Sequence, residues 1–273
     1  MVLMTMIDDA TNHIDAGFYA GETVEAYMDL TERWLRRHGR PGAFYTDLDS
    51  VFEWQSKGRA VEGMTQFGRA METLRIELIL AHSPQAKGRV ERFFGLAQDR
   101  WVKELRLAGV TTRAQANDVV RRRLVPKYNR RFTKKAASTS DAHRPVGSAY
   151  DLPAILCLHY ERTVTNDYTV RWMNRLFQVD PPVYPGLCGG KVIVQQRRDG
   201  TLRLCFGEHH LRYHEIALAR LRERAGEASG EGSDAGTPVG LRPPSVPASD
   251  PSPEKKEPRR PAPNHPWVSF KLK

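Results

Sequence analysis

The N-terminal part of the chain alternates between apolar runs and amphipathic segments. The apolar run Val2 to Ile7 predicts a strand, and the polar turn "DDATN" leads to a second strand through Phe18, so a hairpin is expected. From Glu22 to His38 the apolar residues recur at a helical period, and Gly39 supplies a C-terminal stop. "GAFYTD" then predicts a short strand, the segment from about Thr65 to Leu74 a helix, and "IELILA" a further strand. This order of elements indicates an α/β fold.

The next helix follows a loop whose Pro84 is suited to a first helical turn. Its apolar residues are spaced by three or four positions and form one stripe, namely Val90, Phe94, Ala97, Trp101 and Leu105. Glu91 lies one residue from the start of this stripe, so its carboxylate is expected at the boundary between the packed and open faces. A further helix is expected after a T-x-x-Q capping box formed by Thr112 and Gln115.

The sequence changes character after the α/β region, which we assign to residues 1–131. Residues 132–151 are polar and rich in turn residues, and we expect a linker there. Residues 152–223 hold short β-branched and aromatic runs separated by turns, which predicts a small antiparallel β-barrel. Residues 224–263 are rich in Gly, Ser, Pro, Glu and Lys and are expected to be disordered. The terminal peptide, residues 264–273, places aromatic residues beside lysines, as a docking peptide would.

The chain is strongly basic. Its 273 residues include 42 Lys and Arg against 32 Asp and Glu, which gives a formal charge of +10 and a pI of about 9.7. A polyanion is therefore the expected partner, and nucleic acid is the first candidate. The longest apolar run is too short to span a bilayer, so no membrane association is expected. The three cysteines are widely spaced and lie outside any CxxC pair, which favours buried thiols over a disulfide framework or a zinc site.

Two acids occupy informative positions in the α/β region. Asp47 closes the strand in "GAFYTD", and Glu91 lies early in the helix that follows the next strand. Strand ends collect ligand groups in open sheets, and Mg²⁺ and Mn²⁺ prefer carboxylate oxygens. Both acids also have ordinary interpretations, because Asp47 suits a turn and Glu91 suits an i, i+4 ion pair with Lys87 on a solvated helix. The residue pattern by itself leaves both interpretations open.

The segments "YTDLDSVF" and "AHSPQAKGRVERFFGLAQDRWVKELRLAG" resemble the second and third acidic positions of bacterial insertion-sequence transposases of the ISNCY group, within the DDE transposase and retroviral integrase superfamily. The later barrel is similar to the C-terminal domains of related phage and insertion-sequence transposases. The resemblance implies an RNase H-like integrase core in which Asp47 and Glu91 are catalytic and bind metal. It also implies two Mg²⁺ or Mn²⁺ ions in a complete member, cleavage of DNA by water, and attack of the freed 3′-hydroxyl on target DNA.

The resemblance further implies that the core lacks one element. Members of the group carry their first catalytic Asp on the strand before the one with which this chain begins, so Asp8 and Asp9 align with a hairpin turn. We therefore expect the core to be missing its first strand and first acid, as in a truncated gene or one with an internally assigned start codon. Either turn acid is an alternative ligand, although relocated acids rarely keep ligand geometry.

Basic residues near these acids are candidate DNA contacts, because a phosphate backbone beside a metal site needs cations that position the strand. One group lies on the predicted helix of Glu91, and a second lies on and after the next helix with aromatic residues interleaved. The candidates are Lys87, Arg89, Arg92, Arg121, Arg122, Arg130 and Arg131. The alternative is that these basic runs are only solvated.

Together these observations predict a fragment of a DDE-type transposase that acts on transposon ends and target DNA. The resemblance implies self-association in a transpososome and a location in the bacterial cytoplasm with the nucleoid. The alternative is a catalytically inactive remnant that binds DNA ends or full-length partners without cutting. An unrelated basic RNA-binding protein is a third hypothesis.

Overall fold

The structure is a computed structural model that describes residues 1–46, 65–80 and 84–216; for Leu80 and residues 84–87 it describes the backbone only. The described chain forms two compact units. The first runs through Leu158 and includes residues 197–199, and the second holds the remaining described residues.

The first unit begins with the predicted hairpin. Strands β1 (Val2–Ile7) and β2 (Ile14–Tyr19) pair antiparallel, with Leu3 opposite Phe18. The turn closes through a hydrogen bond from the Asp8 N–H to the carbonyl of His13 at 2.8 Å. The hairpin prediction is therefore confirmed.

Helix α1 spans Val24–His38, two residues shorter at its start than predicted. Its N-cap is Thr23, whose hydroxyl accepts a hydrogen bond from the N–H of Ala26. It ends at Gly39, whose φ of 87° lies in the left-handed region and whose N–H donates to the Leu35 carbonyl. The predicted stop residue thus acts as the C-cap.

Two further strands form a separate small sheet in the same unit. Strands β3 (Ala43–Thr46) and β4 (Glu77–Leu80) are parallel, and helix α2 (Gln66–Thr73) lies in the connection between them. Parallel strands need such a crossover, so the predicted alternation of strand, helix and strand is confirmed. The register pairs Thr46 with Leu80, and both strands therefore end at the same edge of the sheet.

The following helical stretch corrects the predicted stripe. Helix α3 (Pro84–Leu96) continues through a π-helical segment, Ala97–Trp101, into helix α4 (Val102–Leu107). The buried residues here are Phe93, Ala97, Trp101 and Leu105, whereas Val90 is exposed and Phe94 only half-buried. A strict four-residue spacing drifts around an α-helix of about 3.6 residues per turn. The wider π-turn corrects that drift and keeps these side chains on one face.

A second helical stretch, again interrupted by a π-helical segment, also packs against the hairpin. Helix α5 (Arg113–Val119), a π-helical segment (Val120–Leu124) and helix α6 (Val125–Phe132) follow one another. The predicted capping box of Thr112 and Gln115 is present at the start of α5. The main core formed with this stretch contains Leu3, Ile14, Phe18, Phe93, Trp101, Leu105, Val120, Leu124 and Tyr128, among others.

The segment assigned as a linker, residues 132–151, is tied to the first unit at both ends, and at its start the Lys134 N–H donates to the Thr11 carbonyl at 2.8 Å. Arg40 and Arg144 form an isolated antiparallel bridge, and the Arg40 guanidinium donates to the Leu74 carbonyl at 2.7 Å and to the Tyr150 hydroxyl at 3.0 Å. Helix α7 (Leu152–Ile155) then packs Leu152 into the core beside α1 and α2. The unit therefore extends beyond the boundary predicted at residue 152, because apolar burial continues across the polar stretch.

The second unit is an antiparallel sheet of six strands in the order β5-β8-β9-β10-β7-β6. The strands are β5 (Leu158–Thr163), β6 (Thr169–Trp172), β7 (Arg175–Asp180), β8 (Lys191–Gln196), β9 (Leu202–Phe206) and β10 (His209–Ile216). The edge strands approach one another, since the rings of Tyr160 and Trp172 lie 5.7 Å apart. The β-rich prediction is confirmed as a nearly closed sheet, without ladder pairing of β5 with β6 in the described residues.

Three further predictions concern the cysteines, membrane-spanning helices and the C-terminal segments. Cys157 and Cys205 are buried as expected, but Cys188 is exposed because it lies in a surface turn, and none of the three forms a disulfide. Within the described ranges, no helix combines the length and apolar character needed to cross a bilayer. The predicted disordered segment, residues 224–263, and the terminal peptide, residues 264–273, lie outside the described residues.

Candidate nucleic-acid interface

The two candidate carboxylates relate differently to the described structure. Asp47 lies outside the described residues, directly after Thr46 in sequence. Glu91 lies on α3, about two turns from its start, and its side chain is exposed. It is two residues from Phe93, which is about 200° around the helix. Glu91 therefore lies on the solvent face, and the predicted position at the edge of the packed face is wrong.

The hairpin turn acids are both engaged. The Asp8 carboxylate accepts hydrogen bonds from the N–H of Thr11 at 3.1 Å and from the Thr11 hydroxyl, as a turn aspartate does. The Asp9 carboxylate pairs with Arg89 at 2.7 Å, and the Arg89 guanidinium also donates to the Asp9 carbonyl at 2.6 Å. These contacts fasten the hairpin turn to α3 two residues before Glu91.

The predicted basic residues divide by whether an acid already neutralises them. Arg89 pairs with Asp9, and Arg122 pairs with Asp118 at 2.6 Å. Of the residues predicted to contact DNA, Arg92, Arg121, Arg130 and Arg131 have exposed guanidinium groups without a carboxylate partner among the described residues. The side chain of Lys87 lies outside the described residues. The unpaired arginines are therefore the better candidates for contact with phosphate. The paired arginines would first have to give up an ion pair with a carboxylate.

One basic residue was missed by the sequence interpretation. Arg113, the first residue of α5, lines a surface groove of about 520 Å³ together with Asn117, Asp118 and Arg121. It stands alone in the sequence, outside any run of basic residues, so composition gave no signal. A helical spacing of eight residues from Arg121 places it on the same side, two turns away.

Asparagine side chains close the outer edge of β2. The Asn117 amide accepts from the Phe18 N–H at 2.7 Å and donates to the Phe18 carbonyl at 2.9 Å. The Asn129 amide makes the same pair of bonds with Ile14, both at 2.9 Å. Each amide thus replaces a neighbouring strand. An Asn on the packed side of a helix that faces a strand was the available sequence signal.

Arg33 of α1 completes this edge. Its guanidinium donates to the Ala16 carbonyl at 2.9 Å and forms an ion pair with the buried carboxylate of Asp15. The same carboxylate accepts from the Ala16 N–H at 2.9 Å. All three outward-facing residues of β2 therefore have side-chain partners.

Three histidines and a tryptophan pack together at the turn end of the hairpin. This histidine cluster contains His13, Trp34, His38 and His143, and the nearest rings are those of Trp34 and His38 at 4.4 Å. Burial lowers the pKa of both His13 and His38, and the nearby positive charge of Arg37 lowers it further. The cluster is not a metal centre, because no three His, Cys, Asp or Glu residues in the described ranges are arranged to hold an ion.

Comparison with known proteins relates the chain to transposases. No protein-family model matches it. The putative transposase y4bF of Sinorhizobium fredii is 38% identical over 215 residues, which are 77% of this chain and 47% of that protein. The transposase for insertion sequence IS1202 of Streptococcus pneumoniae is 35% identical over 175 residues, which are 63% of this chain and 37% of that protein. The chain therefore spans less than half the length of either relative, and over most of its own length it is similar to bacterial insertion-sequence transposases.

Proposed function

We propose that this chain is part of a DDE-type transposase with an RNase H-like core, and that it acts in DNA transposition. The observation that carries the proposal is the similarity to two transposases over 77% and 63% of this chain. The charge of +10 and the unpaired arginines on α3, α6 and the π-helical segment between α5 and α6 fit a polyanionic partner.

The geometry of the small parallel sheet supports a shared site for Asp47 and Glu91. Because Thr46 lies opposite Leu80, β3 and β4 end together, and the chain leaves both strands toward the same edge. Asp47 comes next after Thr46, and α3, which carries Glu91, begins four residues after Leu80. The Glu91 carboxylate is exposed and pairs with no cation among the described side chains. A divalent ion therefore has access to it.

The chemistry of the donor set fits a hard cation. Asp47 and Glu91 would hold Mg²⁺ or Mn²⁺ through carboxylate oxygens, and the bound metal would stabilise charge on phosphodiester oxygens during strand cleavage and transfer. The chain itself contributes the two carboxylates and the positioning cations. Arg121, Arg130 and Arg131 would contact the DNA backbone, which fixes the strand without reading its sequence.

A nicking assay tests the catalytic part of this proposal. The full chain is incubated with Mg²⁺ and supercoiled plasmid that carries the terminal repeat of its element. We expect open-circle product from the unaltered chain and none from Asp47→Asn or Glu91→Gln. The matched control is Asp99→Asn, an exposed acid further along the same helical stretch that pairs only with Lys103. Equal nicking by all four proteins would contradict the assigned roles.

The second candidate function is a DNA-binding remnant that does not cut. The observation that favours it is that the chain supplies two candidate acids, whereas the resemblance implies three. Replacing Arg121, Arg130 and Arg131 by Ala should weaken DNA binding and reduce the slope of log affinity against log salt by about two to three. Arg122→Ala, which removes a paired arginine, should change the slope by less. Binding without nicking by the unaltered chain would support the remnant.

A further inference from the structure

The helix that carries Glu91 is packed along only part of its length. Among the described side chains of α3, the first buried one is that of Phe93, and residues 88–92 before it are partly or fully exposed. Phe93 lies nine residues after Pro84, which is about 13 Å along the helix. The first turns of α3 therefore project from the core, and buried contacts of the described side chains do not fix the position of the Glu91 carboxylate.

One side chain extends the packed face into the projecting turns. Arg89 lies four residues before Phe93, so it begins the same series of four-residue steps as the buried side chains of this stretch. It is about 40° around the helix from Phe93, on the side that faces the hairpin, whereas Glu91 lies about 200° from both. A contact made by Arg89 can therefore hold the helix from one side and leave the Glu91 side open.

Arg89 makes two contacts with one residue of the hairpin turn. Its Nε pairs with the Asp9 carboxylate at 2.7 Å, and a terminal nitrogen donates to the Asp9 backbone carbonyl at 2.6 Å. Among the described residues, these contacts are the only hydrogen bond and ion pair that join residues 88–92 to another element. The N–H groups of a guanidinium form a rigid fork, so two contacts define a direction as well as a distance. We call this pair the Arg89–Asp9 clamp.

The turn that holds Asp9 is itself fastened to the end of α6. The Asn12 amide donates to the Phe132 carbonyl at 3.2 Å, and the Lys134 N–H donates to the Thr11 carbonyl at 2.8 Å. Asp9 is therefore part of a turn that is fixed independently of α3. The clamp connects the projecting turns of α3 to this fixed point.

We propose that Arg89 is a positioning residue, which holds the Glu91 carboxylate where a divalent cation binds by clamping the start of α3 to the hairpin turn. The proposal rests on the proposed function, which gives Glu91 its role as a metal ligand. It gives Arg89 a different role from the DNA contact that the sequence predicts. A binding group has to be held within about 0.5 Å of its productive position, so a start of α3 that moves by more weakens the site.

The first test measures the backbone of α3 by hydrogen exchange. In Arg89→Met, the amides of residues 88–92 should exchange at least about tenfold faster, whereas those of residues 93–105 should keep their rates. The urea midpoint should hardly change, because 45% and 78% of the two paired side chains are exposed. The matched control is Lys103→Met, which removes another exposed ion pair from the same helical stretch. Unchanged exchange at residues 88–92 in Arg89→Met would overturn the proposal.

The second test measures binding of Mn²⁺ alone to the full chain, from the loss of the free Mn²⁺ signal in electron paramagnetic resonance. Arg89→Met should raise the dissociation constant at least about tenfold, as loss of a group that orients a ligand does. Glu91→Gln should abolish this binding, and Lys103→Met should leave it unchanged. Gly88→Ala, whose added Cβ meets no described atom within 4 Å, favours the helix and should restore part of the affinity lost in Arg89→Met.

Asp9→Ala separates the clamp from a direct contact of Arg89 with DNA. If Arg89 acts through Asp9, this variant reproduces the loss of Mn²⁺ affinity, and the double variant with Arg89→Met is no worse than either single one. Unchanged Mn²⁺ affinity together with tighter DNA binding would overturn the proposal, because it would show that the freed guanidinium contacts phosphate. Stronger Mn²⁺ binding by Arg89→Met would also overturn it, because the released Asp9 carboxylate would then be a ligand.

Failure of this inference differs from failure of the proposed function. If Glu91→Gln abolishes both Mn²⁺ binding and nicking but Arg89→Met leaves the Mn²⁺ affinity unchanged, only the positioning role of Arg89 is overturned. If Glu91→Gln changes neither, or if the unaltered chain binds no Mn²⁺, the metal role of Glu91 is contradicted and the positioning role of Arg89 with it.

Discussion

The two strands of the N-terminal hairpin have the same length, but their outer edges differ in whether the outward backbone groups have hydrogen-bond partners. On β2, the side chains of Asn117, Asn129 and Arg33, from three different helices, bond the outward backbone groups, except that the Ala16 N–H donates to the Asp15 carboxylate. On β1, the corresponding groups have no partner in the described structure, although both faces are packed. An edge that must not pair is blocked by side chains that imitate a strand. The two edges therefore differ in how their backbone groups are satisfied within the described residues: β2 is closed by side chains, and β1 is not.

Removing Arg33 should produce the largest change at the closed edge. Arg33→Met leaves the Asp15 carboxylate, 3% exposed, without its cation, and also leaves the Ala16 carbonyl without a donor. We expect the free energy of unfolding to fall by about 3 kcal/mol, measured by urea denaturation at pH 7. Arg37→Met, an exposed neighbour on α1, is the control. A loss no greater than that of the control would show that Arg33 does not hold this edge.

Removing one asparagine should have an intermediate effect. Asn117→Ala removes the two hydrogen bonds that its amide makes with the N–H and the carbonyl of Phe18, which we expect to lower the free energy of unfolding by about 1–3 kcal/mol. Asp118→Ala changes the next, exposed residue and should cost less than about 1 kcal/mol. The variant should also expose part of a second strand edge, so faster concentration-dependent aggregation is expected. Equal stability of the two variants would remove the distinction between closed and open edges.

Lowering the pH should reduce the stability of the folded chain through His13 and His38, by less than the Arg33 and Asn117 substitutions do. The pKa of His13 and His38 is lowered in the folded chain from the ordinary 6.5, mainly by burial. The unfolded chain therefore binds more protons than the folded chain just below pH 6.5, so stability is present above that pH and is lost as pH falls. The positive charge of Arg37 opposes protonation of both residues, and His13 and His143 oppose it at His38, whereas Asp15 favours it at both and Asp8 favours it at His13. The unfolding midpoint in urea should decrease between pH 7.5 and 5.5, and less so in His38→Gln.

The open edge should tolerate the change that a paired edge would not. In the chain alone, Thr5→Pro should lower the free energy of unfolding by only about 1 kcal/mol, because no hydrogen bond between the backbones of β1 and β2 is lost and the change removes only the bond from the Thr5 hydroxyl to the Asp15 carbonyl at 3.0 Å. Met4→Pro, one residue away, removes an N–H that faces Gly17 and should be far more damaging. Equal damage from the two variants, measured by thermal unfolding, would show that β1 is not oriented as described.

Much of the local structure followed from short-range chemistry in the sequence. The hairpin, the Gly39 stop and the Thr112–Gln115 capping box depend on residues within a few positions of one another, so pattern and turn chemistry were sufficient. The buried stripe after Pro84 was partly misassigned, because a π-helical segment changes the helical period and the sequence gave no sign of it. Glu91 is exposed because it lies about 200° around α3 from the buried Phe93.

What the sequence determined by itself is the order and type of elements, the basic charge, and the candidate acids Asp47 and Glu91. What only the tertiary structure decided is which arginines are left unpaired and which strand edge is left open. Ion pairs such as Arg89 with Asp9, and amide contacts such as Asn129 with Ile14, join residues 80 and 115 positions apart. No local pattern encodes such contacts, because they depend on how separate helices pack against the hairpin.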